Sequence, residues 1–152
     1  MTALSEQQLA DDLTRAMKAR EMPRVYVLRG LLAAVKNLKV EKRGAALAEA
    51  DLAQLVRREI RKREEAEEFA AKAERSELVA QNRGEREMLE AYLPTPLDPA
   101  ELERMIREIA GQLEARSLGA IMAALRERFA ARFDGRQASE IARRVLAEPA
   151  SA

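Results

Sequence analysis

Apolar residues recur every three or four positions along most of this chain, which is the period of amphipathic helices. The first apolar stripe consists of Leu9, Leu13 and Met17. Ser5 precedes this stripe and has the side chain to cap a helix N-terminus. Four helices are predicted in the first part: one that begins after Ser5 and ends before Met22-Pro23, one that continues to about Lys42, one from Glu49 to Lys72 and one from Ser76 to Leu93.

The apolar positions of these helices predict the core of the first part. The second helix carries a stripe wide enough to be buried against more than one neighbour, formed by Val25, Val27, Leu28, Leu31, Leu32, Val35 and Leu38. In the third and fourth helices, the residues expected to point inward are Leu52, Leu55, Val56, Ile60, Phe69, Leu78, Leu89 and Tyr92. Gly84 lies within the fourth helix, where it lowers stability by about 1 kcal/mol relative to alanine unless a neighbour packs closely against it.

A cluster of prolines divides the chain. Three prolines fall between Pro94 and Pro99, and they exclude a continuous helix because proline lacks the amide proton and clashes with the preceding turn. We therefore expect an N-terminal helical part, residues 1–93, and a C-terminal part, residues 97–148. Three further helix starts are marked by capping residues, which are Asp98, Ser117 and Asp134. The predicted fold is all-α, with a four-helix portion followed by a three-helix bundle.

The residue types that are missing exclude most common catalytic chemistry. The 152 residues include no His and no Cys, so imidazole bases, thiol nucleophiles, disulfides and His/Cys zinc sites are excluded. None of the glycines belongs to a phosphate-binding loop pattern. No apolar run is long enough to cross a membrane and no basic leader precedes the first helix, so we expect a cytoplasmic protein without a membrane partner.

The charges are segregated although the formal net charge is only +1. Residues 15–43 contain nine basic side chains and two acidic ones, whereas residues 44–96 carry a net charge of −3. The basic stretch could contact backbone phosphates of a nucleic acid, or it could pair with the acidic stretch inside the same helical part. The sequence leaves both interpretations open.

A second basic group lies in the C-terminal part. Residues 116–144 contain seven basic side chains, all of them arginine, and three acidic ones. The planar guanidinium group suits phosphate better than a lysine ammonium does. Arg136 and Arg143 are seven residues apart and are predicted on one exposed face, opposite Ile141 and Val145. An ordinary solvated helix face is the alternative.

Several motifs together resemble those of the GatB/YqeY family. They are Met17-Lys18-Ala19, Val27-Leu28-Arg29, Leu31 to Asn37, Glu85 to Pro94, Leu118 to Met122 and Phe133-Asp134-Gly135-Arg136. The resemblance extends over nearly the whole chain. It implies an all-helical protein whose C-terminal three-helix domain is similar to the tail of the tRNA-dependent amidotransferase B subunit, a tail that contacts tRNA. Ala48 departs from the family pattern, which usually has Ser or Thr ahead of the third helix.

The hypothesis that follows is a non-catalytic tRNA-binding or tRNA-associated accessory protein. The scarcity of aromatic residues favours contacts with phosphate and ribose over base stacking. The residues predicted to contact the nucleic acid are Arg128, Arg132, Gly135, Arg136, Arg143 and Arg144. No cofactor and no metal ion is expected.

Two alternatives remain open. The chain could be a helical adaptor for an aminoacyl-tRNA synthetase or an amidotransferase, in which case an exposed patch of large apolar residues is expected. It could also be a component with carbon–nitrogen ligase activity that uses glutamine as the amide donor, which the resemblance alone implies. The chain lacks the kinase-like part and the Ser-Ser-Lys constellation that this chemistry needs, so we do not expect it to be an enzyme by itself.

Overall fold

The computed structural model describes residues 4–114, 116–129 and 132–149, and these residues form seven α-helices and no strand. The helices are α1 Glu6–Lys18, α2 Met22–Glu41, α3 Glu49–Lys72, α4 Ser76–Glu90, α5 Pro99–Gln112, α6 Leu118–Phe129 and α7 Gly135–Ala147. The all-α prediction is confirmed. No helix of the described ranges combines the length and the hydropathy that a membrane crossing requires. The chain forms two compact units, Met1–Leu93 with α1 to α4 and Pro94–Ala152 with α5 to α7.

Four helices begin at the capping residues predicted from the sequence. Ser5, Asp98, Ser117 and Asp134 each accept a hydrogen bond from a backbone N–H of the first helical turn, at distances from 2.8 to 3.2 Å. These contacts satisfy amide groups that have no partner within the helix. The starts of α1, α5, α6 and α7 are therefore determined by chemistry within three residues of each cap.

The turns that end α1, α2 and α3 share one geometry. In each turn a charged residue adopts the left-handed conformation: Arg20 with φ 58°, Arg43 with φ 55° and Glu74 with φ 55°. The next residue then donates its N–H to a carbonyl five positions earlier, and these three hydrogen bonds measure 3.0, 2.8 and 2.9 Å. This is the Schellman motif, in which glycine usually occupies the left-handed position. Gly44, which the sequence marks as the end of α2, lies one residue after that position.

The core of the first unit is shorter than the apolar pattern predicts. The predicted inward residues between Leu52 and Ile60 are buried, as is Leu89. Phe69 and Leu78 were also expected to point inward, and that prediction is wrong, because both are exposed and Phe69 by 70%. Beyond Ile60, α3 buries only Ala70 and α4 buries only Leu89. The end of the α3/α4 hairpin is therefore a thin two-helix structure with little apolar interior.

Ion pairs connect α3 to α4 along this thin part of the hairpin. Arg63 Nε on α3 donates to the carboxylate of Glu85 on α4 at 3.2 Å. Glu67 on α3 accepts from Arg83 at 3.1 Å and from Arg86 at 3.2 Å, both on α4. Desolvation alone would raise the pKa of Glu67, but the hydrogen bonds from the two arginines outweigh it and lower that pKa.

The first unit ends on a hydrogen bond to its first helix. α4 ends at Glu90, three residues before the predicted Leu93, and Tyr92 lies in the turn that follows. The Tyr92 hydroxyl donates to Asp12 Oδ2 at 2.5 Å. Burial raises the pKa of Tyr92, and the hydrogen bond to Asp12 raises it further. The end of the unit is thereby joined to α1.

In the second unit α5, α6 and α7 surround one core. Its buried side chains include Leu102, Ile106, Ile109, Ile121, Leu125, Phe133, Ile141 and Val145. The segment before α5 is joined to the turn before α7, because the Leu97 N–H donates to the Arg132 carbonyl at 2.7 Å. The apolar side of α7 faces this core, so its other side is left for charged residues.

Candidate nucleic-acid interface

Arg136 and Arg143 lie on the solvent-facing side of α7. Both are exposed, whereas Ile141, Ala142 and Val145 on the same helix are buried. Within the described residues, no carboxylate lies within 4.0 Å of either guanidinium group. Of the predicted site residues, these two have guanidinium groups with no partner inside the described chain.

Arg144 is instead used within the unit. Its Nη2 pairs with Glu103 of α5. Arg107 of α5 pairs in turn with Glu148, through two hydrogen bonds of 2.6 and 2.8 Å. The Arg107 guanidinium lowers the pKa of Glu148. Arg144 therefore belongs to an ion-pair group that joins α5 to the C-terminal end of α7.

Arg132 also has a structural partner. Its Nε donates to the carbonyl oxygen of Thr95 at 3.1 Å, while its own carbonyl accepts from Leu97. These two hydrogen bonds hold the proline segment against the turn that precedes α7. Because the side chain is exposed, the terminal nitrogens of Arg132 still face solvent.

The N-terminus of α7 is already occupied by a carboxylate. Gly135 is its first residue, and the following N–H, that of Arg136, donates to Asp134 Oδ1 at 2.9 Å. A helix N-terminus can bind phosphate through its free amides, but here Asp134 takes this place. Gly135 is therefore a less suitable contact for phosphate than the arginine side chains nearby.

Arg128, the remaining predicted residue, is on α6. Its Nη2 donates to the side-chain oxygen of Gln112 at 3.3 Å, and the residue is exposed. Gln112 is neutral, so the positive charge of Arg128 is not compensated by this contact. The arginine-rich sequence thus separates into side chains with structural partners, Arg132 and Arg144, and side chains whose charge faces solvent, Arg128, Arg136 and Arg143.

The second unit has little aromatic surface in its described residues. Phe133 is buried in the core and Phe129 is half-buried. Aromatic stacking platforms are the usual means of holding single-stranded bases. The surface is therefore better suited to phosphates than to bases.

The basic stretch of residues 15–43 is for the most part unpaired with the acidic stretch that follows it. In the described chain a single ion pair joins the two, between Lys42 and Asp51 at 2.8 Å. This contact lowers the pKa of Asp51. The interpretation that the two stretches neutralise each other is therefore wrong for most of the basic residues. The residues without a carboxylate of the described chain within 4.0 Å are Lys18, Arg20, Arg29, Lys36 and Arg43.

Large exposed apolar residues occur in the first unit, and none is found in the described part of the second. They are Met17, Met22, Tyr26, Val40, Phe69 and Leu78. The apolar periodicity of the sequence gave no sign of this exposure for Met17, Phe69 and Leu78, because it identifies a helix face without identifying what covers that face.

Comparison with known proteins identifies a family and a curated relative. A family model described as Yqey-like protein matches residues 6–146. A curated protein, "Altered inheritance of mitochondria protein 41, mitochondrial" of Lachancea thermotolerans, is 35% identical over 85 residues. That alignment covers 56% of this chain and 46% of the relative, so the chain corresponds to about half the length of the relative.

Proposed function

Because the chain belongs to the YqeY-like protein family, we propose that it is an accessory protein that binds the phosphate backbone of structured RNA, with tRNA as the expected partner. The observation that carries the proposal is the pair Arg136 and Arg143, which is exposed on α7 and unpaired within the described chain. The resemblance of the sequence motifs to an amidotransferase tail that contacts tRNA supports the choice of RNA.

The contact surface is the solvent side of α7, with Arg128 and the free end of Arg132 as further donors. Arginine side chains bind phosphate through paired N–H groups, and this binding does not depend on base sequence. Because neither Phe129 nor Phe133 offers an open ring, recognition of backbone shape fits this surface better than recognition of unstacked bases.

A tRNA titration at two salt concentrations tests the proposal. We expect Arg136→Gln combined with Arg143→Gln to weaken binding and to make the log–log salt dependence less steep by about 2, because each phosphate contact contributes roughly one to the slope. Both side chains lie outside the core, so the variant should unfold at the same temperature as the wild type. Arg132 is left unchanged because it also holds Thr95.

The matched control removes two exposed basic charges elsewhere, with Arg58→Gln combined with Arg104→Gln. It should leave both the affinity and the salt slope of tRNA binding close to those of the wild type. An equal loss of tRNA affinity in the two variants would show that the effect depends on net charge alone and not on the α7 surface. Unchanged affinity in the α7 variant would reject this surface.

A second candidate function, that of a protein adaptor, is supported by a different observation. The large exposed apolar residues of the described chain all belong to the first unit, and several of them are on α2. Exposed apolar residues with a polar rim are typical of a protein-binding surface. An aminoacyl-tRNA synthetase or an amidotransferase is the kind of partner that the family resemblance favours.

A further inference from the structure

The solvent-facing side of α2 carries a regular pattern of side chains. Six exposed residues follow one another in steps of four and three positions, and we call them the α2 seam: Met22, Tyr26, Arg29, Ala33, Lys36 and Val40. Steps of four and three place residues along a single line on a helix, the arrangement by which one helix packs against another. The opposite side of α2 is already buried in the first unit.

The seam has large apolar side chains towards its two ends and one small residue, Ala33, near its middle. Tyr26 is 63% exposed and Val40 is 71% exposed. Between them lies Ala33, and beside it is Gly30, where an added Cβ would meet no atom within 4 Å. A glycine inside a helix costs about 1 kcal/mol relative to alanine, and no part of the chain that the structure describes fills the space beside this one. Small residues between larger ones allow the backbone of another helix to approach closely.

The charge of the seam is positive and uncompensated. Arg29 and Lys36 are seven residues apart, about 10.5 Å along the helix axis, and no carboxylate of the described chain is within 4.0 Å of either. Arg29 Nη2 contacts Met17 Sδ of α1 at 3.5 Å. The seam therefore continues onto the end of α1, where Lys18 and Arg20 add two more exposed basic charges.

We propose that the α2 seam binds a single amphipathic helix of a partner protein, one that carries acidic residues at seven-residue intervals beside a row of apolar residues. The acidic residues pair with Arg29 and Lys36, and the apolar row packs on Tyr26, Ala33 and Val40. This inference develops the adaptor function of the first unit and does not depend on RNA binding by α7.

Two other occupants fit the seam less well. A second copy of α2 would place Arg29 and Lys36 opposite identical charges, which is unfavourable. Structured RNA would use the basic residues but would gain little from Val40, Ala33 and Met22, since phosphates make no apolar contact. A helix that supplies both carboxylates and apolar side chains can pair with the two basic residues of the seam and also cover its apolar residues.

The test uses designed helical peptides of about four heptads that have leucine in one row and glutamate, glutamine or lysine in the other. Binding to the full-length protein is measured by fluorescence anisotropy. We expect the glutamate peptide to bind most tightly, the glutamine peptide less tightly and the lysine peptide not measurably. Equal binding of the three peptides, or binding of none, would overturn the proposal.

Three variants of the protein complete the test. Arg29→Glu combined with Lys36→Glu should lower the affinity for the glutamate peptide by at least about tenfold and should create affinity for the lysine peptide. Arg104→Glu combined with Arg126→Glu, the control with the same change in net charge, should preserve the wild-type preference. Ala33→Trp adds bulk without charge at the centre of the seam, and should abolish peptide binding while the protein stays folded.

The same variants are titrated with tRNA so that RNA at the seam can be recognised. One result would identify the seam as an RNA surface: the Arg29→Glu, Lys36→Glu variant binds tRNA more weakly than the wild type, and Ala33→Trp binds the peptides as tightly as the wild type. In that case the helix proposal fails. If tRNA binding responds only to the α7 variant, the two surfaces are separate and the helix proposal stands on the peptide result.

Discussion

At the level of single residues, the start of α3 shows the effect of a capping residue that lacks a side-chain oxygen. Ala48 occupies the N-cap and has no side-chain acceptor, so only half of the usual reciprocal capping arrangement is present. The other half comes from Asp51, which accepts from the Ala48 N–H at 3.0 Å and from Lys42 Nζ at 2.8 Å. The missing half is the departure from the family pattern that the sequence displays at this position.

Ala48→Ser should therefore raise the free energy of unfolding by about 1 kcal/mol, because the serine hydroxyl can accept a hydrogen bond from the backbone N–H groups of the first turn, which alanine cannot do. Urea denaturation followed by circular dichroism measures the change. Ala46→Ser, in the exposed loop just before, is the matched control and should have almost no effect. Equal stability of the two variants would contradict this account.

Gly84 provides a second prediction for a single residue. It lies inside α4, and an added Cβ would meet no atom within 4 Å, so close packing does not explain the glycine. Gly84→Ala should stabilise the protein by about 1 kcal/mol through helix propensity alone. Gly44 has φ +79° and serves as the opposite case, since Gly44→Ala should destabilise by about 1 kcal/mol. Destabilisation by Gly84→Ala would indicate a packing role for this glycine.

Among the elements, the α3/α4 hairpin depends more on charge than on apolar packing. Its outer half has almost no core, and Arg63, Glu67 and Arg86 connect the two helices instead. Partly buried networks of this kind contribute more than isolated surface pairs, because the charges are less screened by solvent. The stability of the hairpin should therefore depend on pH.

Glu67 determines the direction of this dependence. Its folded pKa lies below the ordinary value of 4.5, so ionised Glu67 stabilises the folded state above that pH, and this contribution is lost as the pH falls through the lower, folded pKa. We expect Glu67→Gln to reduce the loss of stability between pH 7 and about pH 3.5, measured by urea denaturation at both pH values. Glu64→Gln, at an exposed position of the same helix, should leave that loss unchanged. The same loss in all three proteins would show that Glu67 plays no part.

Element boundaries differ in how far they can be predicted from sequence. Ser5, Asp98 and Asp134 mark helix starts correctly because capping involves only the next few residues. Phe69 was misplaced because periodicity cannot indicate whether another helix covers a given face. The contact between Arg132 and Thr95 joins residues 37 apart in sequence, so no local pattern could have revealed that this arginine has a structural partner.

For the whole molecule, the two units differ in the kind of surface they present. The described part of the second unit exposes arginines without large apolar residues, whereas the first unit exposes both. The candidate site in the second unit was only partly predictable from the sequence. The sequence identified the arginine-rich stretch, but the pairing of Arg144 with Glu103 depends on how α7 packs against α5.

A further prediction for the whole protein concerns amide ligation, which we expect the chain not to catalyse by itself. The purified chain, incubated with glutamine, ATP and misacylated tRNA, should form no amide, because its composition includes no His or Cys and no recognisable phosphate-binding loop. Mass spectrometry of the aminoacyl group gives the result, and an active amidotransferase is the positive control. Amide formation without added subunits would make the chain an enzyme.

The hydrogen bond between Tyr92 and Asp12 has a consequence for synthesis on the ribosome. The two residues are 80 positions apart, so α1 is made long before its partner in the last turn of the unit exists. At about 5 to 20 residues per second, the interval is roughly 4 to 16 s. Contacts of such long sequence separation also slow folding, because a large loop must close before they form. The pairing of Asp12 with Tyr92 is therefore a late step in the folding of the first unit, whereas α1 can pack earlier against α2, the next helix to be made.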